Sequence, residues 1–468
     1  MYQNFGLDKN IFSGILSEAL ANGGDFADIY FQHSLSNSIN MEEDIIKSTS
    51  EHVTLGVGIR VIDGDQTGYA FTNDLSQEKL LETARSASFI ARNKKNLPAL
   101  NLNETNVRNV LYDLKNPLVN TEIPVLIDLV KKGYFAAKNH DSRIIKASAS
   151  LNSNLSYITI ANSEGLLISD VRPQIRLMVS ATALDGSSKT TAMSNDGGRY
   201  GLNFFTTISK PEDIGKKAAE EAILLLTAVT PPSGEMPVVL GNEESGVMIH
   251  EAIGHPLEAD SIHNKTSVLW NKFGEMVSNP NVTIYDNAAI PYYRGSLNID
   301  DEGWETEDVL LVEKGKLVGF MNDYLSAKQL GHSRNGHGRR QSYQSIPIPR
   351  MNNTVLARGE HEPAEILTTV NKGIYAKSFQ GGMVNGTGKF TFTVNLGYMI
   401  ENGKLAEPIK NVTLIGNNLE ILQRIEMVGN DMGFFLGTCG KQGQSVAVTA
   451  GTPTLKISHM TVGGKNGK

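Results

Sequence analysis

Residues 53–71 read Val53-Thr54-Leu55-Gly56-Val57-Gly58-Ile59-Arg60-Val61-Ile62-Asp63-Gly64-Asp65-Gln66-Thr67-Gly68-Tyr69-Ala70-Phe71. Apolar side chains alternate at Leu55, Val57, Ile59 and Val61, the chain turns at Asp63-Gly64, and alternation resumes at Thr67, Tyr69 and Phe71. A period of two marks a strand with one buried face, and Asp-Gly supplies the positive φ of a tight hairpin, so the stretch predicts antiparallel sheet. Helical patterns flank it. One aligns Ile11, Ile15, Leu16, Ala19 and Leu20 and is stopped by Asn22-Gly23-Gly24; the other runs from about Ser76 to Arg92 with Leu80, Leu81, Ala84, Ala87 and Ile90 on one face.

The same order recurs between about residues 115 and 225. A helix near Val125 to Ala137 precedes strands through Ile144 to Ser150 and Leu155 to Ile160, a turn at Asn162 to Gly165, a strand alternating Ile175, Leu177, Val179 and Ala181, and a helix from Pro211 to Leu226. Pro231-Pro232, within residues 227–235, cannot continue that helix and marks a boundary. The reading is an α+β fold: an N-terminal domain over 1–230, with subregions of about 1–110 and 111–230, and a C-terminal domain over 231–468. The latter reads as short strands and glycine turns with one helix, Glu243 to about Glu258, entered directly from the strand Met236 to Leu240.

With 468 residues the chain can bury large cores, and its single cysteine excludes an internal disulfide. A net charge of −7 with interspersed signs leaves no electrostatic footprint for nucleic acid. The N-terminus lacks the pattern of a secretory signal and no apolar run approaches ~18 residues, so the expectation is a soluble cytoplasmic protein without membrane contact.

The C-terminal helix contains His250-Glu251-Ala252-Ile253-Gly254-His255. Histidines four apart share a helix face; five apart they diverge by ~140° on an ideal helix. Sharing one metal therefore requires the extra residue to be absorbed, most simply by a π-bulge, with a bend at Gly254 where glycine tolerates unusual backbone angles and Pro256 interrupts the ladder. Glu251 beside the first histidine is then placed as general base toward a metal-bound water. Glu258, Asp260, His263 and Cys439 are candidates for a third ligand. Glu258 and Asp260 fit equally as partners orienting a histidine N–H, His263 lacks the continuation it would need, and Cys439 between Thr438 and Gly440 is the strongest.

These residues resemble the TldD/PmbA (TldE) metalloprotease family, and within it the TldD-like members. The resemblance is carried by residues 246–260, by Cys439 to Gln444, by Gly336-His337-Gly338-Arg339-Arg340 through Pro347 to Met351, and by Gly24 to Asp28, Gly56 to Val61 and Asp300 to Gly303. It covers nearly the whole chain. Ala252-Ile253 departs from the smaller pair family members often carry, without touching the metal chemistry. The resemblance implies a Zn2+ site formed by His250, His255 and Cys439 with Glu251 catalytic. It further implies pairing with a PmbA/TldE-like subunit, or a homodimer in its absence, and unfolded peptides admitted as extended strands. Gly381-Gly382-Met383-Val384-Asn385 is a candidate edge for such strands, and His337, Arg339 and Tyr343 are candidates to stabilise an oxyanion or a peptide carboxylate. Two other readings compete: a dipeptidyl-peptidase III-like exopeptidase, whose third ligand is a glutamate on a second helix, and a non-catalytic peptide-binding subunit in which Glu258 or Asp260 completes a structural metal site.

Overall fold

The computed structural model describes residues 2–91, 100–108, 110–112, 121–384 and 388–464; Arg92 and Asn385, expected at the ends of a helix and of the candidate edge, lie outside them. The opening hairpin is Ile45–Asp63 against Gln66–Thr72, with Asp63 opposite Gln66 and Gly64 at φ +63°. It belongs to one long sheet in the order 66–72, 45–63, 26–42, 144–162, 166–185, with 188–198 and 103–105 both on the far side of 166–185. Phe26–Glu42 pairs with both 45–63 and 144–162, so the two N-terminal subregions share a single sheet.

Residues 144–162 form one strand where sequence suggested two. Asn152-Ser153-Asn154 has loop-like composition, yet it pairs in register with Ser38-Asn37-Ser36. Alternate side chains of this stretch face a polar surface of the sheet, where serine and asparagine carry no burial cost.

All the helices of this half cover one face. Odd-numbered residues of strand 26–42 supply two cores along its length: Ala27, Ile29 and Phe31 pack with Lys9–Ala19 and Gln77–Ser88, while Ile39 and Met41 pack with Ile123–Lys138 and Pro211–Thr227. The first helix is capped by Asp8, whose carboxylate accepts from Ile11 N at 2.8 Å. Even-numbered residues point the other way. Tyr30, Ile158 and Ile160 meet Ile299 and Tyr343 of the C-terminal half.

Beside that apolar contact lies a buried ionic junction. Arg60 pairs with Asp28 and, at 2.7 Å, with Glu302; Arg172 pairs with Asp170 at 3.1 Å and with Asp301; Arg340 reaches Asp28 at 3.4 Å, and its backbone N–H donates to Asp301 at 2.8 Å. Four of the sequence motifs, Gly24 to Asp28, Gly56 to Val61, Asp300 to Gly303 and Gly336 to Arg340, contribute these groups except Asp170 and Arg172, which stand on the strand 166–185. Each charge is tolerable in the interior only because its partners are present.

Among the described residues the C-terminal half holds two larger sheets and a two-stranded one that pairs 338–339 with 348–349. Strands 372–384, 234–240, 455–463, 412–417 and 389–401 follow one another, and pairing of 372–384 with 389–401 closes them into a ring. A six-stranded sheet runs 316–317, 308–313, 284–287, 353–356, 444–452, 433–441. The expected single helix is joined by short ones at Ala259–His263, Tyr324–Leu330, Pro363–Thr368 and Asn418–Gln423. At two turns or less they are too short to show a helical period. Val247, Met248, Ile249 and Ile253 of the motif helix are buried among side chains of both larger sheets, including Val238, Leu240, Val446 and Val448.

Candidate metal centre

Gly234–Leu240 delivers the chain to a single α-turn, Gly246–Ile249, which widens into a π-helix over His250–Gly254 and tightens into a 3-10 turn over His255–Leu257. The N–H of His255 donates to the carbonyl of His250, a bond spanning five residues that lays the second imidazole over the first. Their ring centroids are 5.0 Å apart and the planes cross at 81°.

The bend expected from Gly254's freedom has a different cause. Gly254 is right-handed helical, φ −56° and ψ −66°, open to any residue. What it requires is the absence of a side chain, because a Cβ would stand 1.8 Å from Met351 Sδ. Gly246 is constrained likewise: its Cβ would lie 2.5 Å from the carbonyl oxygen of Ala450.

Cys439 arrives from strand Gly433–Lys441, paired with Gln444–Thr452 through the two-residue turn Gln442-Gly443, both at positive φ. Donor atoms of His250, His255 and Cys439 all lie within 4.8 Å of one another, and Cys439 Sγ is 3.4 Å from His255 Nε2. Tetrahedral zinc with Zn–S ≈ 2.3 Å and Zn–N ≈ 2.0–2.1 Å separates sulfur and nitrogen by about 3.6 Å, so the donor set fits this metal. His250 Nδ1 is buried without a hydrogen-bond partner, as an imidazole lacking one of its contacts would be. Burial alone would raise the Cys439 thiol, but His250 and His255 bring its pKa to about 5, favouring thiolate, the ligating form.

Glu258 is outside the cluster and supports it. Its Oε2 lies 3.0 Å from His255 Nδ1, which fixes the ring and directs Nε2 toward Cys439. Against its burial, His255, Lys441 and Arg350 hold its pKa at about 2. Lys441 Nζ sits 3.0 Å from Glu258 and 2.7 Å from Asp260, which accounts for the second acidic candidate. Arg350 approaches Glu258 at 3.8 Å and donates to Cys439 O at 2.6 Å, tying both halves of the centre together. Lys441 and Arg350 had no assigned role in the sequence, although both lie inside its motifs. The available signal was a cation two places from the sole cysteine and another in Pro349-Arg350-Met351.

Glu251 lines the same cleft, of ≈ 640 Å³, and makes no hydrogen bond among the described residues. Burial raises its carboxyl above the ordinary value, against the pull of His250 and His255. Gly381 and Gly382 also line the cleft; a Cβ on Gly382 would stand 2.0 Å from Phe392 Cδ1. Residues 381–384 pair with 390–393, while the parallel partner on the opposite side reaches only Ala376, opposite Leu240. Among the described residues that side of 377–384 has no strand partner.

His337, Arg339 and Tyr343 do not line the cleft, which corrects the oxyanion expectation. His337 is enclosed, with Nε2 3.0 Å from Asp286 Oδ1 and Nδ1 2.9 Å from the Asn335 carbonyl. Arg339 donates to the carbonyls of Met351 and, at 2.8 Å, Ala447. The Tyr343 ring fills the space left by Gly56, whose Cβ would be 2.3 Å from it. Gly336 and Gly338 admit close packing in the same way, since a Cβ on them would stand 2.6 Å from Thr306 Cα and 2.5 Å from Glu302 Oε2.

Three family models match the chain: the PmbA/TldA metallopeptidase domain 1 over residues 27–91, the central domain over 116–226 and the C-terminal domain over 233–464. The Metalloprotease TldD homolog of Haemophilus influenzae is 38% identical over 454 residues, covering 94% of this chain and 93% of the relative. The Zinc metalloprotease TldD homolog of Saccharolobus solfataricus is 30% identical, covering 94% and 97%. The fold is shared with the crystal structure of TldE from Thermococcus kodakarensis, at a TM-score of 0.76, 19% identity and coverage of 97% and 100%. With the whole-length match to TldD homologs and all three domain models accounted for, the chain belongs to the PmbA/TldD metallopeptidase family.

Proposed function

We propose that the chain is a zinc-dependent peptidase acting on unfolded peptides held as extended strands, with Glu251 as general base. The observation that carries this reading is the gathering of three donors, two imidazoles and one thiol, beside an unpartnered carboxylate in a single cleft. A structural zinc site would have four protein donors; Glu258 and Asp260, the candidates for a fourth, are occupied by His255 and Lys441. When bound, Zn2+ supplies a Lewis acid and lowers the pKa of water.

Glu251 removes a proton from the attacking water and returns it to the leaving amine, a dual task suited to a carboxyl with a raised pKa. Glu258 keeps the His255 tautomer fixed, and Lys441 with Arg350 keeps Glu258 ionised. Beyond Phe379, whose N–H donates to Glu244 Oε2 at 2.9 Å, the unpaired side of 380–384 offers main-chain hydrogen bonds, which read extension and not sequence. A zinc-named relative supports the metal. A TldE-like subunit is proposed as the partner, with a second copy of this chain as the alternative, in a cytoplasmic setting; no described helix is long and apolar enough to cross a membrane.

Two substitutions test the reading. Glu251→Ala should lower hydrolysis of an unstructured peptide by about 10²–10⁴-fold with zinc content and melting temperature unchanged. Retained hydrolysis removes Glu251 from the mechanism. Cys439→Ser should collapse the zinc content; zinc persisting at one per chain would favour the dipeptidyl-peptidase III-like ligand set. Both assays, run with and without a TldE-like partner, read the pairing.

A further inference from the structure

The sheet face opposite the helices continues past the ionic junction as a polar surface. Two cross-strand rows stand on it: His52, Ser36, Asn154 and Gln174, then Ser50, Ser38, Asn152 and Arg176. With Arg294 they line a groove of ≈ 440 Å³ to which, among the described residues, no aspartate or glutamate contributes.

The two arginines have only neutral acceptors. Arg176 donates to Asn195 Oδ1 at 3.0 Å and to Leu436 O at 3.4 Å; Arg294 donates to Gly437 O at 3.0 Å and to Thr438 Oγ1 at 3.3 Å. Among the described residues neither has a carboxylate within 4.0 Å, unlike Arg60, Arg172 and Arg340 in the adjacent junction. Gln174 Nε2 is buried with no acceptor. Burial lowers both guanidinium pKa values, that of Arg294 to about 9 with Arg176 and Arg199 adding their repulsion. Uncompensated cations and a spare amide donor around open space describe a place for an anion.

The groove adjoins the metal centre. Thr438, which Arg294 holds, lines the metal cleft and precedes Cys439. At ~3.3 Å per residue, a strand leaving the cleft over Thr438 reaches the arginines within two or three residues.

We infer that this groove is a subsite for a carboxylate of the bound peptide, an Asp or Glu side chain or the C-terminal carboxylate, gripped by Arg176 and Arg294 with Gln174 Nε2 as a further donor. The inference rests on the reading of the chain as a peptidase. A planar carboxylate matches two guanidinium groups better than a spherical anion does.

One unstructured fluorescent peptide, made in three forms, tests it: glutamate near the C-terminus with an amidated end, glutamine with an amidated end, and glutamine with a free carboxylate. Anisotropy on the full zinc-loaded Glu251→Gln chain measures binding without turnover, and the unsubstituted chain measures hydrolysis. A carboxylate-bearing form should bind about tenfold more tightly than the neutral one at low salt, and which form does so identifies the source. Arg176→Gln should bring the ratio to within about twofold, as should Gln174→Glu, which is nearly isosteric and supplies an internal carboxylate. Equal binding of all three peptides, or a preference that survives both substitutions, overturns the subsite. Cleavage without preference would leave the peptidase reading intact while removing the subsite; preference in binding without cleavage of any form would do the reverse.

Discussion

Replacing Gly254 by alanine is the smallest change expected to dislodge the candidate centre. The new methyl carbon would stand 1.8 Å from Met351 Sδ, 3.0 Å from its Cε and 3.1 Å from its Cγ. Ordinary carbon contacts begin near ~3.5 Å, so one side must yield by nearly ~2 Å. The clashing atoms are the flexible end of Met351, but that residue is fully buried in the core that holds the motif helix, so its thioether has little room to swing aside and the π-turn takes up part of the shift. His255 is the next residue, and zinc sites hold their distances to about ±0.2 Å. The substitution should cost about 1–3 kcal/mol of stability and reduce bound zinc to below about a tenth per chain. Helix propensity has the opposite sign, since alanine in place of a helical glycine gains about 1 kcal/mol. Denaturant unfolding with metal analysis therefore separates steric exclusion from conformational freedom. Met351→Ala alone should cost about 2–5 kcal/mol, and the double variant should be more stable than the sum of the two by about 1–3 kcal/mol. A Gly254→Ala chain that binds one zinc and melts at or above the parent temperature would refute the steric argument.

Glu258→Gln keeps an acceptor for His255 but removes the charge, and should weaken zinc about 10–100-fold in competition with a chelator; unchanged affinity would deny Glu258 its orienting role. Glu244 is pushed up to about 7, mainly by burial with Glu221 adding and the Phe379 N–H opposing. Its folded pKa exceeds the unfolded value, so the folded state binds more protons, and the stability it contributes at low pH is lost as pH rises from about 4.5 through about 7. Glu244→Gln should therefore raise stability by about 1–3 kcal/mol at pH 8 and by almost nothing at pH 4; a difference that grows toward low pH contradicts the sign. Arg60→Met leaves Asp28 and Glu302 short of a buried partner and should cost about 3–5 kcal/mol in denaturant unfolding, whereas a loss below about 1 kcal/mol would make the junction a minor contributor.

The parts of the molecule that sequence revealed are those governed by local periodicity. Leu55 to Phe71 declared its hairpin, and the spacing of His250 and His255 called for a widened turn. Residues whose roles depend on distant partners were misread. Gly254 looked like a hinge because Met351, almost a hundred residues later, is invisible locally. His337 and Arg339 looked like stabilisers of an oxyanion or a carboxylate because Asp286 and Ala447, their partners, are remote. Asn152 to Asn154 looked like a break because nothing local says that this sheet keeps a polar face.

Cys439 and His255 are 184 residues apart in the chain, with the histidines first. At a synthesis rate of about 5–20 residues per second, roughly 10–40 s separate emergence of the two halves of the proposed ligand set. During that interval the growing polypeptide carries the proposed base and two proposed donors but lacks the thiol, so the proposed hydrolase stays inert toward other nascent chains until the strand that carries Cys439 has been made.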